Sequence, residues 1–484
     1  LTYQLIENFA AGLDTRKSPL TSPAGTLTRL VNAVVTPGGE IAKRRAFVDI
    51  GSVAGSFGLA STESSLYVFG RNVVPPLPTI SIPGVTMKGQ KIPNPATGLL
   101  QYDYDVYDGK IYLACYDPAA AFPSNNPHYY DAVLTGGTGK GFYVRTFQSK
   151  IYSVLGSTLS FSKLDDPLLW NPSTDLGAGY IILSKQDADS EQLTSLEIYY
   201  DKMAIFSTEA VQIWMLNPDD DLNNFDQLLR GTGTAASRSP LQYGNGDVLY
   251  LDQSGIRSLK ARDSSNSASV SDIGSPVDPT IVALLQSKGS AYMNKAIALL
   301  EPSVGRFWMV FPDEILVLSY FPGPKITAWS YFTLPFTVQH AVTCGGKIFI
   351  RSTADRLYVY GGSAGNSYDN CGVEVRLPYL DGKKPGHRKL FQAVDATVSY
   401  NRPSDPPDPA EPTTGSWRVA VSFDPTNPAA EETIAVINKP TWNIGASELQ
   451  GYDSHFSLRF YNDDDKPVTL SNCAVHYEMA DDEA

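Results

Sequence analysis

At 484 residues the chain exceeds what one simple core usually holds, so two or three domains are expected, although a β-propeller takes roughly 250–350 residues as one unit. With 27 Tyr, 20 Phe, 39 Gly, 34 Pro and only 18% charged residues, it lacks the Ala/Glu/Lys/Leu material of long helices and reads as β-rich. Its formal charge, 38 − 51 = −13, argues against a protein built to grip a phosphate backbone, which needs clustered Lys and Arg.

The chain opens on Asn8-Phe-Ala-Ala-Gly-Leu-Asp14, then Ser18-Pro19, Pro23-Ala-Gly25, Leu30-Val-Asn-Ala-Val-Val35, Pro37-Gly-Gly39 and Ala42-Lys-Arg-Arg45. Residues 1–50 are expected to form an N-terminal arm or platform segment. No basic stretch followed by an apolar run opens it, so a standard signal peptide is not expected.

From residue 51 a loose repeat begins: a polar tight turn, a short alternating β run, a second turn and a second β run. Its copies start at Leu66, Ile111, Ile151, Met203, Val248, Ala296 and Ile348, spaced 45, 40, 52, 45, 48 and 52 residues apart. That is the period of a four-stranded propeller blade, roughly 40–50 residues. The alternative, unrelated hairpins in a sandwich, has no reason to keep the spacing. The expected architecture is therefore all-β: a propeller of six or seven blades over residues 51–369. The number depends on whether the first and last copies share a blade.

Two proline-rich stretches interrupt the pattern. Val73–Pro95 carries six prolines, too many for a sheet interior. With Asp117–Pro127 it is expected to form a protruding tip insertion within residues 73–130. Arg402–Thr413 carries five more and lies between β runs at Ala393–Tyr400 and Ser416–Phe423. From about Asn370 the blade period is lost, and runs such as His455–Tyr461 predict a separate small β-sandwich or platform domain over 370–484.

Motifs for chemistry are weak. Thr135-Gly-Gly-Thr-Gly-Lys-Gly141 lacks the first Gly and the hydroxyl after Lys140 that a phosphate loop needs, and is taken as a Gly turn. Asp219-Asp-Asp-Leu-Asn-Asn224 begins like an EF-hand loop, but Asn224 stands at the Gly position and Arg230 at the Glu position. Ser162–Trp170 only superficially suggests a sialidase Asp-box. The five histidines show no zinc spacing, and the four cysteines, Cys115, Cys344, Cys371 and Cys473, are scattered as for reduced thiols. No apolar stretch reaches the length of a membrane span. The expectation is a non-enzymatic protein without metal, cofactor or membrane anchor; the alternative is a carbohydrate-binding or glycoside-hydrolysing propeller, whose paired carboxylates would meet only in space.

The opening words, in their order, resemble the N-terminus of tail nozzle proteins (tail tubular, or packaged-DNA-stabilising hub proteins) of short-tailed bacteriophages. Leu159–Trp170, Gln212-Ile-Trp214, Gly231-Thr-Gly-Thr234, Ser237-Arg-Ser-Pro240 and Asp247–Leu259 are similar to the same family, so the resemblance covers about residues 1–260. It implies a homohexameric ring in the virion tail, assembled in the host cytoplasm under a portal and a tail adaptor ring, with tail fibres or a tail needle as further neighbours. Genomic DNA would pass through its channel without sequence-specific binding, and an acidic wall would leave it mobile. Within that frame Asp219, Asp220 and Asp221 are candidates for a lumen or gate loop. Lys43, Arg44 and Arg45 are candidates for contact with the adaptor.

Overall fold

Short hairpin turns account for the repeat. Asp108-Gly109, Gln148-Ser149 and Gly345-Gly346 all have positive φ at both residues (47° and 72°, 46° and 60°, 54° and 73°), the two-residue turn whose twist matches that of paired strands. Each joins the first and second strand of a small sheet. The computed structural model describes residues 2–71, 73–92, 100–116, 128–131, 141–185, 192–244, 246–265, 272–398, 415–427, 429–437, 441–444 and 451–479.

Seven sheets surround one axis. From the axis outward, blade 1 is Ser56–Ser61, Ser65–Arg71 and Thr86–Ile92; blade 2 is Leu100–Tyr107, Lys110–Tyr116 and His128–Asp131. Blade 3 is Tyr143–Phe147, Lys150–Leu155, Thr158–Phe161 and Gly179–Ile182; blade 4 is Ser195–Tyr199, Lys202–Phe206, Ala210–Met215 and Asn224–Arg230. Blade 5 is Leu241–Tyr243, Asp247–Leu251 and Ile256–Ser258; blade 6 is Ile297–Glu301, Arg306–Val310, Glu314–Phe321 and Ile326–Thr333. Blade 7 is Val338–Cys344, Lys347–Ser352, Arg356–Tyr360 and, from the N-terminal side, Phe47–Ser52. The innermost strands neighbour one another in blade order and blade 7 returns to blade 1, so the ring is closed. The chain is a seven-bladed β-propeller carrying a β-sandwich.

Six of the repeat anchors lie in the second strand of a blade. Ala296 instead immediately precedes the first strand of blade 6, whose second strand is Arg306–Val310. Both runs bury apolar residues, Ile297–Glu301 at alternate positions and Arg306–Val310 throughout. The copies at Leu66 and Ile348 lie in separate blades; what the two ends share is the strand Phe47–Ser52, which closes blade 7 against Arg356–Tyr360. After blade 5, helices Asp278–Lys288 and Ser290–Met293 bury Ile281, Leu284 and Met293 in the largest core.

The proline-rich stretch corrects an expectation. Residues 73–92 do not protrude: Ile82 is buried, with Leu77 and Val85, in the core between blades 1 and 7. The chain then returns as Thr86–Ile92, parallel to Ser65–Arg71. Prolines keep residues 75–83 out of the ladder, and a segment without ladder bonds is free to cross back over the sheet. Residues 93–99, 117–127, 402–413 and 135–140 lie outside the described residues.

The sandwich is built from both terminal regions. One sheet orders Thr441–Ile444, Lys389–Val398, Thr469–Met479, Ile41–Lys43 and Ala33–Val35, with Thr2–Ile6 paired to Thr469–Met479. The other orders Arg29–Val31, Val373–Arg376, Ser457–Asn462, Trp417–Ser422 and Glu432–Ile437, and continues into blade 6 through the pair Val31–Tyr331. Trp417, Phe391, Phe456 and Phe460 fill the space between them together with Leu30 and Ile41. Gly12 makes the crossing to blade 6 possible: at φ +57° it lies against Ala328, where a Cβ would come within 2.7 Å.

The residues proposed from sequence as an adaptor contact lie largely inside this joint. Lys43 is 3% exposed and donates to Asn462 Oδ1 at 2.9 Å and to the Asp464 carbonyl, with burial lowering its pKa. Arg44 is 2% exposed; its Nε donates to Asn32 Oδ1 at 3.1 Å and its Nη1 to Asp369 at 3.0 Å. Asn32, at φ 55°, also donates to the Gly372 carbonyl at 2.8 Å and accepts from Thr333 N at 3.0 Å, which ties blade 6 to the sandwich. Lys43 and Arg44 therefore hold the joint instead of facing a partner; Arg45 is half-buried. Arg44→Met is expected to lower the unfolding free energy by about 2–3 kcal/mol, because Asp369 and Asn32 lose their partner. Arg45→Met should change it by less than about 0.5 kcal/mol. Urea unfolding followed by Trp fluorescence compares them; equal effects would contradict the joint.

Candidate functional site in the propeller axis

An innermost propeller strand has a hydrogen-bonded neighbour on one side only. Along its other edge alternate N–H and C=O groups point at the next blade and need partners. In this chain the partners are side chains of neighbouring blades. Blade 2 presents Asp103 and Asp105, two residues apart, to the N–H groups of Val144 and Thr146, two residues apart on blade 3; Val144 N donates to Asp103 Oδ2 at 3.1 Å and Thr146 N to Asp105 Oδ2. Arg145, between those two, points its guanidinium at Asp103 (2.7 Å) and at Glu197 of blade 4 (3.0 Å).

The same lacing recurs around the axis. Gln101 of blade 2 donates to the Leu59 carbonyl of blade 1 at 2.9 Å, and Ser195 of blade 4 to the Ser237 carbonyl, which leads into blade 5, at 2.7 Å. Ala298 N of blade 6 donates to the Arg238 carbonyl at 2.9 Å, Thr343 Oγ1 of blade 7 to the Leu300 carbonyl at 3.1 Å, and Ser61 Oγ of blade 1 to the Thr343 carbonyl at 2.8 Å. Every junction of the ring is bridged.

These residues divide the axial space into two chambers. One, of about 640 Å³, is lined by Asp103, Asp105, Arg145 and Glu197 among others. The second, of about 480 Å³, opens toward the starts of the innermost strands and is lined by Tyr143, Asn294, Lys295 and Thr337 among others. Gln101, Tyr102, Arg238 and His340 line both and form the constriction between them.

The electrostatics follow from the burial. Burial pushes the Asp105 carboxyl up to about 6, against the pull of Arg145 and two backbone N–H donors. Burial disfavours charge on Arg145, yet Asp103, Glu197 and Asp105 together hold its pKa above the ordinary value. Burial, with Arg238 and Arg351 nearby, lowers the His340 pKa well below the usual imidazole range. Tyr104 and Tyr143 are each pushed up to about 12, again by burial first.

The acidic loop proposed from sequence lies elsewhere, and this corrects that assignment as regards the propeller's own axis. Asp219, Asp220 and Asp221 connect the third and fourth strands of blade 4, remote from its innermost strand. Asp219 and Asp221 are exposed. Asp220 pairs with Lys150, whose fully buried ammonium also donates to the Gly177 carbonyl at 2.9 Å and lies 4.7 Å from the Phe161 ring centre. The loop fastens blade 4 to blade 3 at the periphery. Sequence reading missed the axial group because the repeat was anchored on second strands. The signal was one hairpin upstream, in the alternating Tyr102-Asp-Tyr-Asp105.

No family model and no curated protein matches the sequence. Among solved structures the chain is similar to YCF48 bound to a D1 peptide, at 9% identity and a TM-score of 0.40, over 70% of this chain and 99% of that one. It is similar to the WD40 domain of Neurospora crassa Pan2 at 10% identity and a TM-score of 0.33, over 69% and 88%. It is also similar to the extracellular domain of a hybrid two component system from B. thetaiotaomicron at 11% identity and a TM-score of 0.37, over 90% and 62%.

Two outcomes follow from the axial cluster. Arg145→Met leaves two largely buried carboxylates without their cation and is expected to destabilise the fold by about 3 kcal/mol, measured by urea unfolding at neutral pH. Asp105 holds its proton better folded than unfolded, so its stabilising contribution is present below its ordinary pKa of 3.8 and is lost as the pH rises through about 6. Between pH 4 and 7 the stability of the intact chain should therefore fall relative to Asp105→Asn by about 2 kcal/mol, whatever the offset between them. A difference that stays flat across that range would refute the assignment.

Proposed function

We propose that the chain is a structural virion protein, the tail nozzle of a short-tailed phage, acting as one subunit of a ring that continues the DNA channel below the portal and adaptor. The ring would retain the packaged genome and let it pass on ejection. The observation that carries this reading is the position of the sequence words behind the resemblance. Asn8–Asp14 crosses blade 6 at Gly12, and Leu30–Val35 with Ala42–Arg45 forms the joint between propeller and sandwich. The opening words of the resemblance thus coincide with framework. DNA would run along the wall formed by several subunits; Tyr102, Arg238 and His340 crowd the axis of a single propeller. A net charge of −13 suits a wall that repels the polymer it surrounds.

One observation favours a second reading, a glycan-binding or glycoside-hydrolysing propeller: three carboxylates and two arginines share one axial chamber. Against it, Asp103 and Glu197 are engaged by Arg145, and both oxygens of Asp105 accept backbone N–H groups, those of Val106 and Thr146. Native mass spectrometry and negative-stain microscopy of the purified chain, alone and with its virion neighbours, separate the two. A six-fold ring with a central channel is expected. A strict monomer under both conditions would sink the nozzle reading, and turnover in a glycan-hydrolysis screen, abolished in Glu197→Gln, would establish the second.

A further inference from the structure

The smaller axial chamber differs from the rest of this acidic protein. Its described lining contains no Asp or Glu, while Arg238 projects into it and Lys295 stands at its exposed rim. Among the described residues the Arg238 guanidinium has a single acceptor, the Gln339 carbonyl, at 3.3 Å from both Nη atoms. The carboxylate that acts on it electrostatically, Asp103, is already held by Arg145 at 2.7 Å. An arginine withdrawn from bulk water normally has a carboxylate or phosphate partner, because its fork of donors loses hydration that one carbonyl does not replace.

His340, on the same constriction, is 4% exposed. Its Nδ1 is buried with no partner among the described residues. The chamber therefore offers a cationic fork that no described carboxylate pairs by hydrogen bond, and a second cation at the rim. Its volume of about 480 Å³ is that of a small-molecule site.

We propose that this chamber binds a small oxyanion, a phosphate or a carboxylate, with the oxyanion on Arg238 and Lys295 closing the mouth. The oxyanion completes the charge-assisted pair that Arg238 lacks, and bidentate contact suits its planar fork. The site is independent of the ring assembly and lies across the constriction from the acidic chamber, so neither reading of function is needed for it.

Isothermal titration calorimetry of the full chain with inorganic phosphate, and separately with lactate, at ionic strength fixed with sodium chloride, tests it. Binding of at least one of them with a Kd below about 10 mM is expected, and which one binds identifies the ligand class. Arg238→Gln should weaken it at least about tenfold. No heat with either anion would overturn the proposal, as would binding unchanged in Arg238→Gln. If that variant does not fold, Lys295→Gln, at an exposed position, decides: about threefold weaker binding supports the site, and unchanged binding rejects it.

Discussion

The innermost strand of a blade is an edge strand that cannot be left open, and the rest of the molecule is arranged around satisfying it. A propeller hides these edges by circular arrangement, but the axis is too narrow for another strand and too enclosed for free water access to every N–H and C=O. Side chains of adjacent blades supply the missing partners here. Where the edge offers N–H groups at Val144 and Thr146, the neighbour offers carboxylates at the same two-residue spacing. Where it offers carbonyls at Leu59, Ser237, Leu300 and Thr343, the neighbours offer the side chains of Gln101, Ser195, Thr343 and Ser61, and the Arg238 carbonyl takes the backbone N–H of Ala298.

That solution has an electrostatic consequence. Buried carboxylates that cap backbone donors need a cation, and Arg145 supplies it by bridging blades 2, 3 and 4. A cluster of acids and arginine in a propeller axis thus arises from edge satisfaction alone, without catalysis. The smaller chamber is informative by contrast. Its strand starts are bridged by neutral groups, no described carboxylate lines it, and its arginine has one carbonyl acceptor among the described residues. Structural demand explains the first group and leaves the second unexplained.

The blade period was legible in the sequence because each copy contains a polar turn followed by a strand buried on both faces, as in Lys110–Tyr116 and Lys150–Leu155. Closure was not: Phe47–Ser52 joins blade 7 across some three hundred residues, and no local pattern announces a pairing of that range. Nor does composition distinguish a proline-rich tip from a proline-rich crossover; burial of Ile82 decides that, and it depends on a neighbouring blade. Basic residues at Lys43–Arg45 looked like a surface contact because charge usually implies exposure. Here the positive-φ turn at Asn32 and the carboxylate of Asp369 create an internal site for Arg44, and Asn462 with the Asp464 carbonyl does so for Lys43.

The same long-range pairings bear on what the fold is suited to do. The ring closes with a strand from one end of the propeller, and the segment before that strand is woven into both sheets of the sandwich with the segment after blade 7. Opening the propeller at its seam therefore requires breaking sandwich pairings and the Asn32–Arg44–Asp369 joint as well, so the two closures reinforce each other. A single propeller with an axial ligand does not need such double fastening. A subunit that must bear load from neighbours on either side of a channel does, and the sheet continuing from blade 6 into the sandwich gives that load an unbroken path through hydrogen-bonded strands. Stiffness across the joint, more than any single residue at the axis, is the property that the proposed nozzle role asks of this chain.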